Sequence, residues 1–124
     1  MATDAEKIVT DFCNAWPRAN IEELMNFFTD DAIYHNIPME PAKGKAAIRA
    51  VINSFLPAAK GIQFKILHTA AAGNVVFNER IDIFDQKDGK HMELPVAGVF
   101  EVKGGKLCAW RDYFDMAMFT KQMA

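Results

Sequence analysis

The chain has 124 residues and a formal net charge of −2, with acidic and basic side chains interspersed. This length predicts one domain, over residues 1–124, and folding at this size buries roughly two-thirds of the unfolded chain's surface. The charge pattern has no basic footprint for nucleic acid, and no apolar run is long enough to cross a bilayer, so neither partner is expected. The acidic N-terminal segment lacks an apolar signal core, which favours a cytoplasmic protein.

Helical patterns fill much of the first half of the chain. Residues 3–16 begin with a capping-box sequence and continue with apolar residues at helical spacing, and Pro17 should end that helix. Asn20 is an N-cap signal for a second, short helix that should extend to Phe28. Residues 46–55 predict a third helix, which ends before another proline.

Strand patterns follow, beginning with a short run over residues 32–37. Four longer runs are separated by Gly73-Asn74, Asp88-Gly89 and Gly104-Gly105, which are typical of hairpin turns. These runs are residues 62–71, 75–85, 92–102 and 106–115, and residues 116–123 could form a final short helix. We therefore expect an α+β fold in which a strongly curved, mostly antiparallel sheet forms a cone and three helices from the N-terminal half pack on its concave face. The open mouth of such a cone would hold a pocket.

The run over residues 75–84 places polar and charged side chains on one face of its strand. Side chains alternate along a strand, so Asn78, Arg80 and Asp82 share a face with Val76 and Phe84. Charges bracketed by apolar groups must be paired or neutralised. The pattern is also compatible with an ordinary strand whose wet face carries an ion pair.

Two other strands repeat this arrangement of polar groups on an apolar face. Tyr34 and Asn36 are two residues apart on the first strand, and Asp112 lies between Trp110 and Phe114 on one face of the last. Three strands would thus bring polar groups to one surface. A structural alternative is that Tyr34 and Asn36 only close a strand end, because Asn is a common turn residue.

Two carboxyls beside one arginine predict an unusual protonation state. If Asp82 and Asp112 were both ionised next to Arg80, the cluster would carry a net charge of about −1 in an apolar pocket. One added proton makes it neutral, so the pair should titrate as a coupled unit that holds one proton near neutral pH. Such a pair can take one proton and give another. The pattern does not decide which carboxyl holds the proton.

Other chemistries have weaker signals. His35, His68 and His91 are scattered and match no metal-ligand spacing, so no metal is expected. Cys13 and Cys108 lie in apolar settings and are expected to be reduced, buried thiols without a catalytic base. By strand parity, the pocket should be lined by Phe84, Val96 and Phe114, and further by Trp16, Phe55, Phe64, Leu94 and Phe119.

The chain resembles the limonene-1,2-epoxide hydrolase family from about Trp16 to the C-terminus. Three segments carry the resemblance: Tyr34-x-Asn36, Asn78-Glu79-Arg80-x-Asp82 and Trp110-Arg111-Asp112-Tyr113-Phe114. The resemblance implies the cystatin-like fold, also called nuclear-transport-factor-two-like. It further implies a cofactor-independent hydrolase that opens a small lipophilic epoxide with water.

The resemblance also implies a role for each polar residue. Asp112 would be the general base for water, Tyr34 and Asn36 would hold that water, Asp82 would be the general acid, and Arg80 would bridge the two carboxylates. Opening an epoxide needs a proton taken from water and a proton given to the ring oxygen, which is what this set supplies.

Two other functions are compatible with the same fold. One is a ketosteroid-isomerase-like or polyketide-cyclase-like enzyme, and the other is a non-catalytic dimeric binding module. Phe77, Ile81 and Ile83 face away from Arg80, on the sheet face that the helices leave uncovered. This apolar surface predicts a homodimer through the convex face of the sheet.

Overall fold

Six strands form a single sheet in this computed structural model, which describes residues 3–124. The strands are β1 (Phe28–Asn36), β2 (Ala42–Lys43), β3 (Ala59–Ala72), β4 (Val75–Gln86), β5 (His91–Lys103) and β6 (Lys106–Tyr113), and the helices are α1 (Asp4–Ala15), α2 (Ile21–Met25), α3 (Lys45–Asn53) and α4 (Met116–Met123). The order of strands across the sheet is β2-β1-β6-β5-β4-β3. The predicted α+β class with a curved sheet is confirmed.

The first two helices begin where their capping residues predict. The Thr3 hydroxyl accepts a hydrogen bond from the Glu6 backbone N–H at 3.1 Å, and α1 ends just before a proline-containing turn. The Asn20 side chain caps α2 in the same way, accepting from the Glu23 N–H at 3.1 Å. The second helix is shorter than predicted, because Phe28 begins β1. The Phe27 carbonyl already accepts from the Leu107 N–H at 2.7 Å, so the sheet takes over this segment.

Strands β3 to β6 form the predicted antiparallel meander. β4 is paired with β3 on one side and with β5 on the other along almost its whole length, so its side chains alternate strictly between two faces. Val76, Asn78, Arg80 and Phe84 are buried on one face, whereas Phe77 is 44% exposed on the other. The predicted parity is therefore confirmed at these positions, whereas Ile83, expected on the face away from Arg80, is half-buried and borders the cavity described below.

The pairing of β1 was not predicted. β1 lies parallel to β6, with Tyr34 opposite Trp110 and Asn36 opposite Asp112, and the short β2 pairs antiparallel with its other edge. Parallel neighbouring strands need a long crossover connection. In this chain that connection contains every element between β1 and β6. This pairing joins two polar segments that lie far apart in the sequence.

Helices α1 and α3 supply the apolar faces that cover the concave side of the sheet. Val9, Phe12 and Cys13 of α1 are fully buried, and the Phe12 ring meets the Trp110 ring edge-to-face at 5.0 Å between centroids. Ile48 and Ile52 of α3 are also fully buried. Among the described residues, no helix is long and apolar enough to span a membrane.

The last helix, α4, packs beside the part of β5 that extends beyond the end of β6. Pairing of β5 with β6 ends at Ala97, so no strand in the described part of the chain pairs with the backbone of Glu93 on that side. The Gln122 side chain replaces it, accepting from the Glu93 N–H at 2.9 Å and donating to the Glu93 carbonyl at 3.0 Å. This amide attaches α4 to the rim of the cone.

Candidate active site

Arg80 is the centre of a buried polar cluster on the concave face of the sheet. Its guanidinium is fully buried and uses all five N–H donors that an arginine side chain has. Nε and Nη2 donate to the two oxygens of Asp82 at 2.9 and 3.0 Å. Nη1 and Nη2 donate to the two oxygens of Asp112 at 3.2 and 2.9 Å, and Nη1 also donates to Oδ1 of Asn78 at 3.0 Å. The arginine therefore bridges two carboxyls, each by two hydrogen bonds.

The two carboxyls differ in their surroundings. Asp112 is 3% exposed, and its Oδ1 also accepts from the Trp110 indole N–H at 2.7 Å. The side chain of Asp82 is 15% exposed and is hydrogen-bonded only through Arg80 among the described residues. Asp112 is thus held in one orientation from two sides, whereas Asp82 keeps lone pairs free toward the cavity.

Tyr34 and Asn36 lie next to Asp112 because β1 and β6 are parallel neighbours. The Tyr34 hydroxyl donates to Oδ1 of Asn36 at 3.1 Å, and the Tyr34 ring stacks on the Trp110 ring at 4.0 Å between centroids. Burial raises the pKa of Tyr34, so it remains a neutral phenol. Within residues 3–124 the amide nitrogen of Asn36 has no hydrogen-bond partner, so it is available as a donor beside the carboxyl of Asp112.

Burial and charge set the protonation state of the cluster. Burial raises the pKa of Asp82 to about 6; Arg80 opposes this rise and Asp112 adds to it. Burial would lower the pKa of Arg80, but the two carboxylates outweigh it and hold the pKa above its ordinary value. Asp82 therefore takes a proton close to neutral pH, while Arg80 stays a cation.

A cavity of about 250 Å³ opens beside the cluster. Four of the five predicted catalytic residues, Tyr34, Asn36, Asp82 and Asp112, line it, whereas Arg80 lies behind the carboxyls and does not. Seven of the predicted apolar positions line the cavity: Phe55, Phe64, Phe84, Leu94, Val96, Phe114 and Phe119. The site is thus an apolar chamber with one polar wall.

Trp16 does not line the cavity, contrary to the prediction. It is fully buried, and its ring stacks on the Phe64 ring at 4.7 Å between centroids, so Phe64 lies between Trp16 and the cavity. The sequence analysis missed further lining residues: Met39, Val51, Ser54, Ile62, Ile83, Met92 and Met123. The period-two pattern of β3 and β5 could have indicated Ile62 and Met92. Each lies two residues before a predicted lining residue and therefore on the same face of its strand. Met39 lies on a proline-bounded loop and gives no such signal.

The chain is similar to known proteins over nearly its whole length. Residues 3–124 match the sequence profile described as limonene-1,2-epoxide hydrolase catalytic domain. The chain belongs to the limonene-1,2-epoxide hydrolase family. The resemblance inferred from the sequence is thereby confirmed.

Two of the similar proteins come from Mycobacterium tuberculosis. Epoxide hydrolase EphG of Mycobacterium tuberculosis (strain ATCC 25618 / H37Rv) is 29% identical over 105 residues, which cover 85% of this chain and 69% of EphG. The solved structure of an M. tuberculosis LEH-like epoxide hydrolase superposes with a TM-score of 0.84 at 28% identity, covering 96% of this chain and 88% of that one. These matches indicate an epoxide hydrolase-like role for this member of the limonene-1,2-epoxide hydrolase family.

The fold is shared more widely than the family. A Catenulispora acidiphila DSM 44928 protein with a ketosteroid isomerase-like fold superposes with a TM-score of 0.81 at 20% identity, covering 93% of this chain and 90% of that one. At this identity the likeness concerns the fold alone. The residues on the polar wall of the cavity therefore carry the functional argument for this limonene-1,2-epoxide hydrolase family member.

The raised pKa of Asp82 predicts that stability depends on pH. The folded protein binds the Asp82 proton more tightly than the unfolded chain, whose carboxyl has a pKa of about 3.9. The resulting stabilisation is full below about pH 4 and is lost as the pH rises through the folded pKa of about 6. Relative to Asp82→Asn, the wild type should lose roughly 2 kcal/mol of unfolding free energy between pH 4 and 7, measured by urea denaturation.

A matched control separates this effect from general acid sensitivity. Asp11→Asn replaces an exposed carboxyl on α1 whose ion pair with Lys7, at 2.7 Å, lies on the surface and contributes little to stability, so this variant should keep nearly the wild-type curve. Parallel stability curves for the wild type and Asp82→Asn would show that Asp82 does not hold a proton more tightly in the folded state.

Proposed function

We propose that this protein hydrolyses a small lipophilic epoxide to a vicinal diol in one step by general acid and base catalysis, without a cofactor. The observation that supports this most strongly is the pair of carboxyls, Asp82 and Asp112, held by one buried guanidinium at the wall of an apolar cavity. One carboxyl can then accept a proton while the other donates one.

Asp112 is the proposed base. Its orientation is fixed by Arg80 and by the Trp110 indole N–H, and the Tyr34–Asn36 pair lies beside it. A water in the cavity next to Asp112 would donate to the carboxylate and accept from the free amide N–H of Asn36. Such orientation matters because water is a weak nucleophile whose attack depends on alignment with the breaking bond.

Asp82 is the proposed acid. Its carboxyl is the more exposed of the two toward the cavity, and its pKa of about 6 leaves a proton on it in slightly acidic solution. The attacking water gives its proton to Asp112 as its oxygen bonds to one epoxide carbon. The bond between that same carbon and the ring oxygen breaks, and the ring oxygen takes the proton of Asp82, which gives the diol.

The proposed step keeps the net charge of the cluster constant. Asp112 gains one proton and Asp82 loses one, so Arg80 faces one carboxylate and one carboxylic acid before and after the reaction. Nη2 of Arg80 donates to an oxygen of each carboxyl, at 3.0 Å to Asp82 and 2.9 Å to Asp112. The guanidinium can therefore stabilise either distribution of charge without moving, as preorganised electrostatic catalysis requires.

The cavity indicates a compact substrate. Its volume of about 250 Å³ lies at or below the small end of ligand pockets, which span roughly 300–1,000 Å³. Most of its wall is apolar, so a hydrocarbon skeleton with one epoxide oxygen placed at Asp82 would satisfy the polar groups. A long or strongly polar substrate would leave part of itself outside.

A panel of compounds tests the proposal. Terpene-like, cycloalkene and aryl epoxides should be assayed for diol formation, together with an unsaturated ketosteroid that reports isomerase activity. We expect turnover of compact epoxides and none of the steroid. Turnover of the steroid with no epoxide activity would favour the ketosteroid-isomerase-like or polyketide-cyclase-like alternative, and turnover of neither would favour a binding module.

The two-carboxyl assignment predicts a bell-shaped pH profile. The rate should fall at low pH as the carboxyl pair takes up a second proton, and the alkaline limb of the rate profile should pass through about pH 6 as Asp82 loses its proton. Asp82→Asn and Asp112→Asn should each lower kcat by at least ~100-fold, because each removes one proton-transfer partner. The control Asp11→Asn should retain full activity, and a flat rate from acid to alkaline pH would contradict the assignment.

We also propose that the protein is a homodimer through the convex face of the sheet. Phe77 of β4 is 44% exposed there, and Val99 of β5, its register partner, faces the same side. Sedimentation velocity should show a dimer for the wild type and a monomer for Phe77→Glu. Met118→Glu, which changes an exposed apolar residue on α4, is the control and should remain dimeric; a monomeric wild type at high micromolar concentration would refute the proposal.

A further inference from the structure

Asn78 connects the Arg80 cluster to helix α1. It is almost fully buried, its Oδ1 accepts from Nη1 of Arg80 at 3.0 Å, and its Nδ2 donates to Sγ of Cys13 at 3.5 Å. The orientation of the amide is fixed by chemistry, since a guanidinium has only donors and must face the carbonyl oxygen. The family resemblance gave Asn78 no role. Its side chain nevertheless accepts the one guanidinium N–H that neither carboxyl accepts.

Gly98 of β5 makes this contact possible. It lies opposite Asn78 on one side and opposite Asp112 on the other. A Cβ atom at this position would lie 2.4 Å from Nη1 of Arg80 and 2.9 Å from Oδ1 of Asn78. The Arg80–Asn78 contact therefore occupies the space that a side chain at position 98 would fill.

We propose that Asn78 is a positioning residue for epoxide hydrolysis, holding Arg80 so that the guanidinium bridges both carboxyls without binding Asp82 too strongly. The inference rests on the proposed function. The negative end of the Asn78 amide dipole offsets part of the charge of Arg80. Without it, Arg80 would favour the ionised form of Asp82 more strongly, and the acid would lose its proton at lower pH.

The other groups around the guanidinium do not obscure this effect. The titratable groups that face it are Cys13 of α1, Tyr34 of β1, Asp82 of β4 and Asp112 of β6. Burial raises the pKa of Cys13 to about 12 and also raises that of Tyr34, so both stay neutral in the working pH range. A shift in the alkaline limb of the pH–rate profile can then be assigned to the carboxyl pair.

An isosteric pair of variants tests the role of the acceptor. Asn78→Val and Asn78→Thr have nearly the same shape, and both suit a strand, but only threonine offers an oxygen to Nη1 of Arg80. For Asn78→Val we expect kcat to fall about tenfold or more with KM changed less than about twofold, because Arg80 is no longer held. Its alkaline limb should move down by about half a pH unit or more. Asn78→Thr should recover most of kcat and the wild-type pH profile.

A control and a second measurement remove the remaining ambiguity. Asn74→Ala deletes another part-buried amide, which donates to the Val102 carbonyl at 3.0 Å outside the active site, and should leave the pH profile unchanged. The titration of Asp82 in carboxyl-labelled protein can be followed by NMR without any turnover. Its midpoint should be lower in Asn78→Val than in Asn78→Thr or the wild type.

The outcomes separate the two proposals. Suppose that the wild type hydrolyses no epoxide but the Asp82 titration midpoint is still lower in Asn78→Val. Asn78 would then still position Arg80, and the proposed function would be refuted. The positioning role would be refuted if Asn78→Val and Asn78→Thr had the same Asp82 titration midpoint and the same alkaline limb in their pH–rate profiles. If Asn78→Val does not fold, Cys13→Ala removes the partner of the amide instead; it should shift the Asp82 midpoint in the same direction by less, and no shift would again refute the proposal.

Discussion

The buried guanidinium of Arg80 is the interaction on which the site depends. An isolated charge in this position would be very costly, and the protein offsets that cost with two carboxyls and five hydrogen bonds. Removing one partner of such a buried pair typically costs about 3–5 kcal/mol. The fold provides this setting through strand pairing: β4 supplies Arg80 and Asp82, β6 supplies Asp112, and Gly98 on the intervening strand leaves room for the guanidinium.

The charge balance that makes the cluster compatible with burial is also the one that the proposed reaction uses. One cation and two carboxylates leave an excess negative charge in an apolar wall, which favours binding one proton, and burial places it on Asp82 near pH 6. A bound proton next to an ionised base is the state that general acid and base catalysis requires. Stability and chemistry thus arise from one charge balance, so we expect Asp82 to influence both unfolding and turnover.

Sequence patterns predicted most of the framework but only part of the site. Period-two alternation correctly placed Arg80 on a buried face, and the turn residues delimited the meander. Local patterns could not predict that β1 lies parallel to β6, because that pairing joins segments more than 70 residues apart and is decided by packing. For the same reason, Trp16 was expected at the cavity but lies behind Phe64. The proton on Asp82 was assigned by family resemblance, and burial in the structure gives it a physical cause.

In the proposed mechanism, water attacks the epoxide directly while both aspartates only move protons. A single turnover in heavy-oxygen water, with enzyme in excess over substrate, tests it by mass spectrometry of the diol and of the peptides that contain Asp82 and Asp112. Direct attack predicts one heavy oxygen in the first diol released and none in either peptide. An unlabelled first diol, with heavy oxygen in one of the two aspartates, would show that a carboxylate forms an ester with the substrate and would contradict the account.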